Sequence, residues 1–139
     1  MAWIESHDNI KDHPKTRRAA RLLGVSVPTV VGHLHLLWHW CLSYAEDGDL
    51  SAYDAADIAD AAMWDGDPDQ FVEALLNCGP TGKKGFLERD DQGRLLVHDW
   101  MDYAGELIMK RKELREAGAR GNHERWHVRR GIVDPSCPY

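Results

Sequence analysis

The stretch from Asp54 to His98 admits few folds, because start signals, apolar periodicity and glycine turns follow one another in it without a gap. Asp54-Ala-Ala-Asp-Ile-Ala-Asp-Ala-Ala-Met-Trp64 repeats Ile58, Ala61 and Ala62 at helical spacing, and Asp69 to Leu76 does the same with Phe71, Val72, Leu75 and Leu76. Each segment therefore has one apolar face to bury, and the nearest surface for each is the other. Between them, Gly66 permits a tight turn, while Asp67 before Pro68 combines an N-cap with a proline at the first helical position. After Pro80-Thr-Gly-Lys-Lys-Gly85, the apolar runs Phe86 to Arg89 and Arg94 to His98 flank Asp90-Asp-Gln-Gly93, the pattern of a β-hairpin with a glycine-containing loop.

Helix, turn, helix and hairpin in that order predict a winged helix-turn-helix. The expected class is mainly α with a small β-hairpin (α+β). At 139 residues and 43% hydrophobic content the chain can bury one core, so we expect a winged-helix domain over 1–109 and a basic C-terminal helix and tail over 110–139. The longest apolar run is far below the roughly 20 residues that span a bilayer, and the first residues do not read as a signal peptide. The expected location is the cytoplasm. Cys41, Cys78 and Cys137 are too few and too scattered for a disulfide framework.

The net charge of −6 conceals a division. Residues 1–109 carry 9 Lys/Arg against 19 Asp/Glu, and residues 110–139 carry 8 against 4. Within the body, Glu46 to Glu73 holds ten carboxylates and no Lys or Arg, whereas Lys11 to Arg21 holds five basic residues and one acid. Charge is sorted by segment, which is the pattern of a chain that presents different faces to different partners.

Around the central stretch the remaining elements read clearly. Trp3 and Ile4 form an apolar anchor, and Ser6 can cap a short helix through Ile10. His13-Pro14 marks a boundary, Pro14 opens a helix over 15–23, and Gly24 ends it. Ala19, Ala20, Leu22 and Leu23 face inward there, leaving Arg17, Arg18 and Arg21 to project. Ser26 caps a long helix whose stripe Val27, Val30, Val31, Leu34, Leu37, Trp38, Cys41, Leu42, Ala45 has the 3.6-residue period of a central core helix. Its other face carries His33, His35, His39 and Trp40, read as solvent-facing or partner-facing, although His35 and His39 also have the spacing of two metal ligands. Ala20, Gly24 and Val30 fit a second helix-turn-helix template, but only the later unit is followed by a hairpin. Gly48-Asp49-Leu50 is the expected short strand beside that hairpin. Asp99 is placed as the cap of a last helix, which Gly118 and Gly121 should break.

Ala2-Trp-Ile-Glu-Ser-His7, His13-Pro-Lys-Thr-Arg-Arg18, Gly32-His-Leu-His-Leu-Leu-Trp38, Asp47-Gly-Asp-Leu50 and Val97-His-Asp-Trp100 together resemble phage and prophage replication-initiation proteins. More closely, the chain resembles the winged-helix N-terminal domain of DnaD-like replisome organisers of actinobacteriophage type, over about residues 1–115. The resemblance implies a non-enzymatic domain that binds double-stranded DNA, or phage or host replication proteins, at a phage origin, often as a homo-oligomer. Two departures stand out: Pro80 to Gly85 looks inserted, and the chain stops where longer members carry a second domain.

Affinity for DNA rests on cations that neutralise phosphates. The candidates are Lys15, Arg17, Arg18 and Arg21, Lys83 and Lys84, Arg94, and Lys110, Arg111, Lys112, Arg115 and Arg120. The second helix of the winged unit would enter the major groove, yet its exposed positions, Asp69, Gln70, Glu73 and Asn77, bring carboxylates toward phosphates. The alternative function is therefore a protein-interaction or transcription-regulatory module that does not itself read bases. Six tryptophans suit interfaces as well as cores; Trp38 is assigned to the core, and Trp3, Trp40, Trp64 and Trp100 fit either. No glycine-rich phosphate loop, nucleophile elbow or compact acid/base constellation appears, so no catalysis is expected.

The tail offers one metal-binding pattern. His123 and His127 have His-x-x-x-His spacing and Cys137 follows, a partial knuckle that could hold a structural zinc in a segment with no core of its own. Elemental analysis of protein purified without a histidine tag tests it. Zinc near one per chain, lost in the His123→Ala/His127→Ala variant, is the expected result for this site, and absence of metal in a chain extended by one cysteine rejects it in favour of the alternative, a basic tail that binds phosphate or packs Trp126 on the domain.

Overall fold

The computed structural model describes residues 9–123, with side chains through residue 118. Trp3, Ile4 and Ser6, the side chains of Arg120 and His123, and the tail residues Trp126, His127 and Cys137 lie outside the described residues, and the zinc pattern with them. The chain divides into two units, Met1–Ala104 and Gly105–Tyr139. Seven elements follow in order: α1 (Pro14–Leu23), α2 (Val27–Tyr44), α3 (Ala55–Ala61), α4 (Pro68–Asn77), β1 (Leu87–Arg89), β2 (Leu95–Val97) and α5 (Trp100–His123). This is the expected mainly helical α+β arrangement with a two-stranded antiparallel hairpin.

Each helix start has a chemical cause. His13 caps α1, its Nδ1 accepting the Lys15 amide, and Pro14 occupies the first turn. Ser26 caps α2 through the Thr29 amide. Asp54 and Asp57 form a reciprocal capping box on α3, and Asp67 accepts the Asp69 amide at the start of α4. The helices then pack by their apolar faces: α3 on α4, α1 on both α2 and α4, α2 on α3, and α4 on β1. Val30, Leu34, Leu37, Trp38, Cys41 and Leu42 of α2 meet Ile58 of α3, Phe71 and Leu75 of α4, and Leu87 of β1 in one fully buried core. Burial of each of the larger side chains contributes roughly 1.5–3 kcal/mol before ordering costs.

The hairpin pairs Leu87 with Val97, Glu88 with Leu96 and Arg89 with Leu95. Asp49 bridges Leu96, and Leu50 N donates to Leu95 O at 2.7 Å while Val97 N donates to Gly48 O at 2.9 Å. Gly48 to Leu50, predicted as a short third strand, joins β2 through an isolated bridge and two backbone hydrogen bonds, while the sheet itself has two strands.

Several expectations need correction. The helix predicted to reach Trp64 stops at Ala61, because Met63 turns into the left-handed region (φ 57°) and closes the end: Trp64 N donates to Ala59 O and Met63 N to Asp60 O. Gly24 closes α1 in the same way. Leu22, expected inside, is 47% exposed, and the buried position on that face is Thr16 instead. His33 is not solvent-facing: its ring lies edge-on to Trp64 and Phe71, and its Nδ1 is 2.7 Å from Ala62 O. Asp99 does not cap α5 with its side chain; it takes a left-handed backbone (φ 54°) and its carboxylate meets His98 Nε2 at 3.3 Å. Nor do Gly118 and Gly121 end α5, which runs to His123. A mid-helix glycine costs only about 1 kcal/mol against alanine, and strong helix formers such as Lys112, Glu113, Leu114 and Arg115 precede the pair.

Two backbone positions generate opposite predictions. Met63 is 70% exposed and holds a left-handed conformation that suits glycine, so Met63→Gly should raise stability by about 0.5–1 kcal/mol. Gly48 (φ 79°) lies beneath the Trp100 ring, and a Cβ there would come within 2.8 Å of it. Gly48→Ala should therefore lose about 2 kcal/mol or more, through strain and displacement of that ring. Urea denaturation of both variants checks the signs, and equal or reversed shifts would contradict this account of the two turns.

Candidate nucleic-acid interface

The helix that a winged fold offers to the major groove is acidic on its outer face. Asp69, Gln70 and Glu73 of α4 are exposed, Asn77 Nδ2 donates to Glu73, and Gln70 Nε2 donates to Leu22 O across to α1. Between α4, the start of α3 and the hairpin lies a cleft of about 270 Å³ lined by Asp54, Asp69 and Glu73 with Arg89 and Ser51. Its carboxylates disfavour a phosphate backbone there.

The predicted cations fall into distinct environments. Lys15 is half-buried; its Nζ donates to Gly85 O at 3.3 Å and sits 5.7 Å above the Phe86 ring. Arg17 is exposed and pairs with Asp12 at 3.4 Å. Arg18, expected to project, is half-buried, and its Nε is buried with no hydrogen-bond partner among the described residues. Arg21 is exposed in the last turn of α1. Lys83 and Lys84 are exposed, Lys84 lying 4.0 Å from Glu88. Arg94 is engaged locally: its Nε donates to Asp90 at 2.6 Å. Asp90 is held below the usual carboxylate range, first by the Arg94 backbone amide, and the guanidinium is pushed up in return by its bond to Asp90. In the second unit Lys110 pairs with Glu106 at 3.7 Å, Arg111 is half-buried, and Lys112 and Arg115 are exposed.

The fold also assembles a second cleft, of about 440 Å³. It is lined by His13 and Lys15 from the start of α1, by Lys83 and Lys84 with Pro80 and Gly82 from the loop after α4, and by His98 after β2. The loop is held tightly at both ends. Its Pro80-to-Lys83 turn closes with a 2.8 Å hydrogen bond around left-handed Gly82. Gly79 packs on the carbonyls of Lys83 and Lys84, and Gly85 on the Leu75 carbonyl, so neither site has room for a Cβ. Phe86 N donates to Leu75 O at 2.9 Å, which ties the loop's exit to α4.

His13 and His98 were not among the predicted binding residues. A lone histidine before a proline or after a strand carries no periodic signal, and only the tertiary fold brings these two toward the lysines. His98 bridges two carboxylates, Nδ1 to Glu88 at 3.2 Å and Nε2 to Asp99 at 3.3 Å. Both contacts are donations only when the ring is protonated. His35 and His39, the other candidate pair, have ring centroids 6.5 Å apart, and His35 Nδ1 meets Val31 O at 2.7 Å. Among the described residues no group of three or more His, Cys, Asp or Glu is placed to hold a metal ion. Burial pushes the Cys41 thiol up to about 12 and raises Cys78 too, partly offset by the Phe86 amide, Lys15 and Arg18 nearby. Both are protected core thiols.

Among the described residues no single helix is long and apolar enough to cross a membrane; α1 and α2 pass that test only together, and they meet at 101°. No protein-family model, curated protein or solved structure matches this chain, so its interface is read from its own geometry.

Proposed function

We propose that this chain is a DNA-binding protein that grips the duplex by its phosphates through the lysine-lined side of the winged helix, not by inserting α4. The observation that carries the reading is the separation of charge around the hairpin. Lys15, Lys83 and Lys84 converge on one cleft, while Asp54, Asp69 and Glu73 line the other. Phosphate contacts position a protein without reading sequence, so binding of this kind is tolerant of sequence and steep in salt. Arg17 and Arg21 on α1 are further exposed cations of the same unit. The resemblance to phage replisome organisers supports a role in replication initiation in the host cytoplasm, with no catalytic step.

One observation favours a second reading. The acidic cleft beside α4 suits a basic segment of a protein partner, which would make the winged helix an interaction module that leaves base reading to others.

Fluorescence anisotropy with random and phage-origin duplexes at two salt concentrations separates the readings. The variant Arg17→Ala/Arg21→Ala/Lys83→Ala/Lys84→Ala should weaken binding and lower the salt slope by about 3.6, since each of four lost phosphate contacts removes roughly 0.9. Asp69→Lys/Glu73→Lys should change affinity by less than about tenfold, because that face is turned from the duplex. Loss of binding in the second variant would show its carboxylates accepting hydrogen bonds from bases, and an unchanged salt slope in the first would favour the interaction module.

A further inference from the structure

We infer that the cleft between the start of α1 and the 79–85 loop is a discrete site for one phosphate group. The inference deepens the DNA-binding reading and names the contact on which it turns. Three lysines reach the cleft from segments far apart in sequence, Lys15 from α1 and Lys83 and Lys84 from the loop, and two imidazoles complete its wall. Four other features make it a built site and not a chance cluster of surface lysines.

Lys15 is fixed, since its ammonium is held by the Gly85 carbonyl and rests over the Phe86 ring. One acceptor leaves the ammonium with further N–H groups for a ligand. His13 is oriented by its capping bond: with Nδ1 accepting the Lys15 amide, a neutral ring carries its proton on Nε2 and is a donor. The first-turn amides of Lys15, Thr16 and Arg17 are already satisfied by His13, so the site rests on side chains and not on the end of a helix. The loop itself cannot drift, because Gly79 and Gly85 are packed on backbone carbonyls at either end.

The charges that face the cleft identify its ligand. Against the three ammonium groups stand two carboxylates at its margin, Glu88 and Asp99, and both are engaged by His98 while Glu88 also approaches Lys84. The cleft thus brings three lysines and two imidazoles together around one opening, with more ammonium groups than carboxylates about it, which fits a small tetrahedral oxyanion held at its mouth. A phosphate group reaches such a cleft from two sources, an internal phosphodiester of the duplex or a terminal 5′-phosphate.

The test uses inorganic phosphate on the full chain, followed by amide and imidazole NMR. A saturable shift is expected, largest at residues 13–15, 82–85 and 98, with affinity falling at least tenfold in Lys83→Ala/Lys84→Ala. Both lysines are exposed, so that variant keeps its core. Arg94→Gln removes a charge at the hairpin loop and should leave the phosphate shift unchanged. Linear, non-saturating shifts, or equal losses in the two variants, would overturn the site. The duplex arms are separate: tighter binding of a 5′-phosphorylated duplex than of its hydroxyl counterpart assigns the site to a strand end, and equal binding assigns it to the internal backbone. Saturable phosphate binding without DNA binding sinks the function proposed above and leaves the site standing, whereas DNA binding without a saturable phosphate site does the reverse.

Discussion

The backbone closure between Gly48–Leu50 and β2 is what makes a stable wing out of two three-residue strands. An isolated hairpin of that length is marginal in water. Here Leu50 N donates to Leu95 O of β2 and Val97 N donates back to Gly48 O, and the Trp100 ring covers Gly48 while its Nε1 donates to Glu46 O at 2.7 Å. The indole fits only because residue 48 lacks a Cβ. Trp100 and the adjoining Tyr103, stacked on Trp38 at 4.4 Å, thus seal the hairpin to the core helix α2. The positions of His98, after β2, and of Phe86, before β1, both follow from this closure, and with them the geometry of the lysine cleft.

Charge sorting follows from the same framework. The acids of α3 and the turn before α4 act first as caps: Asp54 and Asp67 accept first-turn amides, Asp57 accepts the amide of Asp54, and negative charge there also complements the positive end of each helix. Their abundance between Glu46 and Glu73 is thus partly the chemistry of starting two short helices. A consequence is an acidic recognition helix. Arg94 is held by Asp90 at the hairpin loop, while α1 and the 79–85 loop carry further exposed cations of the body, Arg17, Arg21, Lys83 and Lys84.

Most of the framework was legible in the sequence because its signals are local. Ser26, Asp54 and Asp67 mark helix starts by accepting amides two or three residues on, Gly24 marks an end by donating to carbonyls three and four residues back, and the stripe on α2 places its core side chains by period alone. Signals failed where the answer lay in a distant neighbour. Met63 reads as a helix former, and only the closure onto Ala59 and Asp60 shows it ending α3. His33 falls on the outer face of α2 by period, yet Trp64 folds across it. Arg18 looks as exposed as Arg17, although α1 turns it toward Cys78 near the end of α4. The candidate site divides in the same way: its lysines were legible as charges, but their convergence, and both histidines, depend on contacts between residues as much as 70 positions apart.

The segment Pro80 to Gly85, which reads as an insertion in a winged helix, is the part that changes what the fold can do. Without it the chain would pass directly from α4 to β1, and the lysine side of the hairpin would carry Lys15 alone. With it, two further lysines are held beside α1 by two glycines whose missing Cβ atoms let backbone pack on backbone. The cost of ordering six loop residues is met by backbone bonds at each end, at Pro80–Lys83 and Leu75–Phe86. A loop ordered this way before any ligand arrives loses little further entropy on binding, so its lysines can hold a phosphate with more affinity than the same charges on a mobile tail.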